Sequence, residues 1–243
     1  MQAQSRQVVS NQLQPHPRLP ELVRRHFKTA HHNPIAGHNA AAFKQLLQAL
    51  EQNPRPLVLD SFCGTGHSTA ILAERHPQHL VVGIDKSAQR LAKHPASPSA
   101  NYLLLQADCE DIWQLLAESG LAVQYHYLLY PNPWPKAKHL QRRVHGNASF
   151  PLLLRLAAAG RAASRSDSAS HGAVGHIEVR SNWQLYVEEF GLAMHLAGVR
   201  GSIARVTPDT PMTLFERKYH DSGQLLWRYT GGVRQGTTAG VTP

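Results

Sequence analysis

The chain has 243 residues, enough for one sizeable α/β domain with its own core. No apolar run is long enough to span a membrane, Met1 to Arg18 is too polar for a signal peptide, and two cysteines without a CxxC pair exclude a disulfide scaffold or a cysteine zinc site. The expectation is a cytoplasmic protein with no membrane partner and no metal, whose net charge of +9 suits a polyanion.

Residues 1–17 are polar, glutamine-rich and aperiodic, and read as a mobile tail ahead of a domain over 18–230. From Leu19 to His26 the chain is basic and partly helical. His38 to Glu51 reads as a helix, with Ala42, Phe43, Leu46, Leu47 and Leu50 on one stripe. Leu57-Val58-Leu59 is an apolar run with the pattern of an inner parallel strand, ending at Asp60. It breaks into a glycine turn, Gly64 and Gly66, and then a helix from Ser68 to Arg75 stopped by Pro77. Leu80 to Ile84 is a second strand ending in Asp85, followed by a short helix from Ser87 to His94 and a loop over 95–99. Tyr102 to Gln106 is a third strand, running into Ala107-Asp108. Asp111 to Ser119 reads as a helix ended by Gly120, and Tyr125 to Leu129 as a fourth strand. Three prolines between Tyr130 and Pro135 forbid helix and inner strand, so that stretch is a rigid extended loop. Ser149 to Ala159 is helical, and 160–175, rich in Ser, Ala and Gly, is a flexible excursion. A fifth strand spans His176 to Val179, a helix Trp183 to Leu196, a loop Pro208 to Pro211, and a last strand Gln224 to Tyr229. Residues 231–243 read as a second mobile tail. The sixteen histidines are scattered and are taken as surface or loop residues.

Asp85 lies 25 residues after Asp60, close to the interval for an acid that binds ribose hydroxyls in a βαβ nucleotide site. Three apolar strands, each ending at an acid, resemble the S-adenosyl-L-methionine pocket of Rossmann-like class I methyltransferases. That resemblance implies a mostly parallel seven-stranded sheet with helices on both faces and an antiparallel last strand. It implies that Asp60, Cys63, Gly64 and Gly66 pack against methionine and ribose. Asp85 and Lys86 would hold the ribose, and Asp108 with Cys109 would flank the adenine. The usual pattern is Asp-x-Gly-x-Gly-x-Gly, and Phe62 stands where its first glycine would be. A dinucleotide-type domain with another ligand, or none, is the plainer alternative.

The run Tyr130-Pro131-Asn132-Pro133-Trp134-Pro135-Lys136-Ala137-Lys138-His139-Leu140-Gln141-Arg142-Arg143 resembles a segment of the bacterial tRNA (guanine-N7-)-methyltransferases. There an aromatic precedes Pro-Asp-Pro-Trp, then Lys, a basic residue, His and paired arginines. Ser181-Asn182-Trp183 followed by Tyr186 is similar to the family's Thr-Asp-Trp block. Thr213-Leu214-Phe215-Glu216 matches its Thr-x-aromatic-Glu, ahead of a closing strand with Trp227. The resemblance covers roughly Leu19 to Thr230. It implies that Asn132 and Asn182 act at the reacting base, with Asn132 also touching the cofactor, and that Thr213 and Glu216 complete the catalytic set by holding part of the base or the cofactor's methionine end. It further implies that Lys136, His139, Arg142 and Arg143, extended by Arg24 and Arg25, contact tRNA phosphates.

These roles make physical sense. Methyl transfer from a sulfonium is an in-line displacement, so an enzyme mainly holds donor and acceptor in register. Guanine N7 already carries a lone pair and must stay free, so the protein should grip the opposite edge, where N1–H and N2–H₂ donate. Carboxylates suit that edge, yet this chain has Asn132 and Asn182 where the family has aspartates. A charge-assisted bond contributes about 1.5–3 kcal/mol against roughly 0.5–1.5 for a neutral one, so guanine selection could weaken by on the order of 1–3 kcal/mol. Three rivals remain: an exocyclic-amine base methyltransferase using Asn132, a tRNA-binding paralogue without turnover, and a generic small-molecule methyltransferase, against which the basic run argues. A solvated helix face is the bland reading of the basic run. Trp134 is either a base-stacking residue or a plug between prolines.

Overall fold

The computed structural model describes residues 5–29, 31–95, 97–158 and 175–233. Two helices lead in, α1 (Leu19–Lys28) and α2 (Gly37–Gln52). Alternation follows: β1 (Leu57–Ser61), α3 (His67–Arg75), β2 (Leu80–Asp85), α4 (Ala88–Leu91), β3 (Tyr102–Gln106), α5 (Cys109–Ser119) and β4 (Val123–Leu129). After the proline loop come two 3-10 turns (Ala137–Arg142 and Val144–Gly146). They are followed by α6 (Phe150–Ala158), β5 (Gly175–Ser181), α7 (Gln184–Leu196), β6 (Gly201–Val206), α8 (Leu214–Asp221) and β7 (Leu226–Val233).

The seven strands lie in the order β3-β2-β1-β4-β5-β7-β6. β1 to β5 are mutually parallel, and β7 runs antiparallel between β5 and β6. This is the class I methyltransferase fold expected from the strand-and-acid pattern. β1 and β2 are buried along their whole length, because helices cover both faces there, and that is why they read as unbroken apolar runs. Chain order reverses between β1 and β4, so the carboxyl ends of β1 and β4 open a crevice where open α/β sheets bind ligands.

The larger core packs α1, α2, α5, α6 and α7 on one sheet face, with Trp113, Phe150, Tyr186 and Phe190 fully buried. The smaller core, on the other face, gathers Val58, Leu72, Val81, Leu129 and Met212.

Several expectations need correction. β6 was not expected from the sequence; it is an edge strand, largely exposed, so it lacks the apolar run that marks an inner strand. α8 was also missed, because the only residue it buries fully is the charged Glu216. β7 continues through Gly231-Gly232-Val233, three residues into the supposed C-terminal tail, because Gly231 and Gly232 are paired to Ile177 and His176 of β5. Residues 5–17 form no regular element but are not a free tail. The Ser5 amide donates to Ser222 (3.0 Å), the Ser10 hydroxyl to the Pro135 carbonyl (2.7 Å), and Gln12 and His16 to Glu189 (2.6 and 2.8 Å). Residues 160–174 of the excursion and 234–243 of the second tail lie outside the described residues.

Candidate active site

A cavity of about 470 Å³ opens at the carboxyl ends of β1, β2 and β4. Its cofactor-like side is the turn after β1. Gly64 and Gly66 sit at φ 64° and 73°, and a Cβ on Gly66 would stand 2.8 Å from Leu104, so the backbone there needs glycine twice over. Phe62 occupies the position of the absent first glycine and still adopts φ 63°, with its ring held edge-on to Trp113 at 5.8 Å. The conformation that the glycine pattern encodes is therefore kept, and packing offsets its strain.

Asp85, 2% exposed, is the electrostatic centre of this side. One carboxylate oxygen accepts the Gly64 amide (3.0 Å); the other accepts the Ser87 amide (2.8 Å) and the Arg90 guanidinium (3.0 Å). Asp108 faces the cavity at the N-cap of α5, its backbone amide held by Asn39 at 3.0 Å. Cys63, Lys86 and Cys109 also line it. Burial pushes both thiols well above the usual range, so neither is a nucleophile; the Cys109 sulfur accepts the Phe62 amide at 3.3 Å.

Asp60 is placed differently from expectation. It is fully buried beneath the turn, where one oxygen ties Ser68 (2.6 Å) and Thr69 (2.7 Å) at the start of α3. Burial lifts its carboxyl to about 6, against those two hydrogen bonds, and its second oxygen has no hydrogen-bond partner among the described residues. Asp60 braces the turn rather than lining the cavity.

The opposite wall is the proline loop. Tyr130 and Trp134 adopt φ 56° and 45°, so all three non-glycine residues with positive φ among those described line this one cavity. Asn132 faces the cavity between them, its side-chain oxygen accepting the Trp134 amide at 3.3 Å. The Trp134 ring lies 4.8 Å from the Arg142 guanidinium and 5.5 Å from the His139 ring. Thr213 lines the cavity and caps α8, accepting the Glu216 amide at 2.9 Å.

Two residues assigned to the base stand elsewhere. Glu216 is fully buried and its carboxylate is committed to Arg180 (2.7 Å), the Tyr130 hydroxyl (3.0 Å) and the Met212 amide (2.5 Å). It braces the start of the loop, and burial with that carboxylate alongside pushes the Tyr130 hydroxyl far above its ordinary range. Asn182 does not line the cavity; its amide donates to Gln224 at 2.8 Å.

The basic run divides. Lys136, Lys138 and Arg142 are exposed. Arg142 and Lys138 form, with His16, Arg18 and Arg25, a groove of about 360 Å³ against α1, in which Glu21 is the one acid. Among the described residues Arg18, Arg25, Lys138 and Arg142 pair with no carboxylate. Arg24 is exposed on the same helix but outside the groove. Arg143 contradicts its assignment outright: it is completely buried and ion-paired to Glu189, so it cannot meet a phosphate. The sequence reading missed His67, Arg90, Glu110 and Tyr130 among the cavity residues. Glu110 directly follows Cys109 and Tyr130 opens the proline run, so both were within reach; His67 and Arg90 carry no local signal.

A family model described as "Putative methyltransferase" matches residues 54–228. Among curated proteins, a tRNA (guanine-N(7)-)-methyltransferase of a Nocardioides species is 29% identical over 191 residues, covering 74% of this chain and 70% of that protein. The protein of the same name from Mycobacterium tuberculosis is 28% identical over 223 residues, covering 76% of each. Among solved structures, the 16S rRNA methyltransferase KamB superposes with a TM-score of 0.50 at 20% identity, over 83% of this chain and 95% of that one, a likeness of fold alone.

Proposed function

The chain belongs to the methyltransferase family whose model spans residues 54–228, and from that premise we propose that it transfers the methyl group of S-adenosyl-L-methionine to N7 of a guanine in tRNA. The observation that carries this reading is the shared cavity. Strand-end acids Asp85 and Asp108 form one wall, the loop bearing Asn132 and Trp134 forms the other, and a basic groove, whose Arg18, Arg25, Lys138 and Arg142 pair with no carboxylate among the described residues, adjoins where Arg142 lies over the Trp134 ring. The curated relatives named above bear the name of that reaction.

The residues fit the cofactor. The cavity volume suits a small nucleoside, and the one side-chain donor on Asp85, Arg90, is half-exposed and can yield its place to ribose hydroxyls. When bound, the cofactor supplies an electrophilic methyl group on a sulfonium. Cys63 and Gly64 would hold its methionine–ribose end, and Asp108 with Cys109 its adenine. No general base is needed, because N7 offers a lone pair without losing a proton; the loop's task is orientation. Asn132 and Thr213 present acceptor oxygens to the guanine edge opposite N7. Lys136, Arg142 and Arg25 hold the tRNA backbone, which such an enzyme meets in the cytoplasm.

The deciding experiment is tritium transfer from labelled S-adenosyl-L-methionine to an unmodified tRNA transcript, followed by nucleoside analysis. 7-Methylguanosine is the expected product. N6-methyladenosine would transfer the assignment to an exocyclic-amine enzyme using Asn132. Tight tRNA binding without methyl transfer would leave a paralogue that has lost turnover.

A further inference from the structure

We propose that Arg143 is a positioning residue for this reaction, clamping the proline loop and the N-terminal segment together against α7 so that Asn132 and Trp134 face the cavity. The proposal rests on the function given above for the cavity, but the clamp has a readout of its own.

The guanidinium spends its donors in three directions. Nη1 pairs with Glu189 of α7, Nε donates to the Trp134 carbonyl at 3.2 Å, and Nη2 reaches Gln12 Oε1 at 3.0 Å and the Lys136 carbonyl at 3.5 Å. Its plane lies 4.9 Å from the centre of the Trp183 ring. Glu189 is equally committed: one oxygen accepts Gln12 Nε2 (2.6 Å) and the His16 amide (2.8 Å), the other His145 Nε2 (3.0 Å). Burial would raise the Glu189 carboxyl, but the hydrogen bonds from His145 and the His16 amide and the charge of Arg143 outweigh it and hold it well below the usual carboxylate range, so the pair stays ionised. Ser10 adds a further bond to the loop, from its hydroxyl to the Pro135 carbonyl at 2.7 Å.

These bonds explain a feature the loop cannot supply itself. Trp134 sits at φ 45° between two prolines, a conformation that persists only where its surroundings over-determine it. Neither proline can donate a backbone hydrogen bond, and the Lys136 carbonyl is taken by the His139 amide of the 3-10 turn (2.9 Å), so the Trp134 and Pro135 carbonyls find their partners outside the loop. Arg143 grips the first and Ser10 the second, and Arg143 also reaches the Lys136 carbonyl at 3.5 Å. Lysine cannot replace this, since one ammonium does not span three directions with planar donors.

The test compares Arg143→Lys with the double variant Ser10→Ala, Gln12→Ala, which removes the N-terminal half of the clamp and leaves Arg143 and Glu189 themselves in place, each short of its Gln12 bond. Turnover on unmodified tRNA, cofactor affinity by calorimetry, tRNA affinity against salt, thermal stability, and the indole N–H resonance of Trp134 are measured for both. Arg143→Lys should lower kcat by roughly 10–100-fold, the scale of a small misplacement at the reacting centre, with the tRNA salt slope unchanged. The double variant should lower kcat by about three- to tenfold, with a smaller fall in melting temperature than Arg143→Lys, and shift the Trp134 indole resonance. If its indole resonance stays in place and its kcat holds, the clamp is only structural and the proposal falls. If the wild-type chain transfers no methyl to tRNA, the functional reading fails, while the indole shift still decides the clamp.

Discussion

Replacing Asp85 with alanine tests the cofactor side of the cavity directly. Its carboxylate is 2% exposed and holds the Gly64 amide, the Ser87 amide and the Arg90 guanidinium at 2.8–3.0 Å. Two of these donors are backbone and fixed by the turn. The third belongs to a half-exposed side chain and is the one a ribose displaces. A ribose would then form two charge-assisted bonds at the cost of one existing pair. The net contribution is near that of a single such bond, about 1.5–3 kcal/mol, or roughly 10- to 150-fold in affinity. Loss of the anchor on the Gly64 amide acts in the same direction, because the turn closes over the cofactor. Calorimetry with S-adenosyl-L-methionine should therefore show at least about tenfold weaker binding, while filter binding of tRNA without cofactor changes by less than about twofold. Cofactor affinity within about threefold of wild type would refute the ribose role, and a parallel fall in tRNA affinity would mean that Asp85 only holds the fold.

Asn132→Asp, which keeps an acceptor for the Trp134 amide and offers guanine a charged second oxygen, should raise kcat/KM for 7-methylguanosine formation by about fivefold, the ratio of a charge-assisted to a neutral bond; a fall would show that the amide is the matched acceptor. Arg142→Ala should weaken tRNA binding and reduce its log–log salt slope by about one, measured by titration between low and moderate salt, because one exposed phosphate contact is lost. Asp60→Asn should change the pH dependence of stability. The folded chain keeps the Asp60 proton until about pH 6, whereas the unfolded chain loses it near 3.8, so stability is full below that lower value and is lost as pH rises to about 6. Two pKa units correspond to roughly 3 kcal/mol at most, and cofactor-free urea melts from pH 4 to 7 should show the variant gaining on wild type over that window; parallel curves would mean the acid titrates normally.

How much was legible depended on what each element must bury. β1 and β2 were readable because both faces are covered, which forces an apolar run that stops at an acid where the cavity begins. The proline loop was readable because three prolines leave the backbone few alternatives. β6 was not, since an edge strand with one mostly solvated face has no such run, and α8 was not, since its one fully buried side chain is Glu216. Arg143 was misread because a cation among cations looks solvent-facing. Its counter-charge Glu189 lies 46 residues further on, in the middle of a helix, with nothing local to mark it. Gln12 and His16, in a stretch with the composition of a disordered tail, gave no sign that they reach the same carboxylate.

These misreadings share a cause, and it bears on how the site works. Phe62, Tyr130 and Trp134 each hold a backbone conformation that side chains disfavour, and all three face one cavity. Such strain, about 1–3 kcal/mol per residue, persists only with outside support. Phe62 has Trp113, Tyr130 has the buried Glu216–Arg180 pair, and Trp134 has Arg143 with Glu189. Two of the charged groups that looked like ligands are thus the supports of the residues that line the cavity. A buried ion pair is a weak source of stability, because desolvation offsets much of its attraction, but it fixes geometry well. That suits a reaction in which proton transfer contributes nothing and orientation contributes nearly everything: these buried charges aim the site and do not act on the reacting atoms.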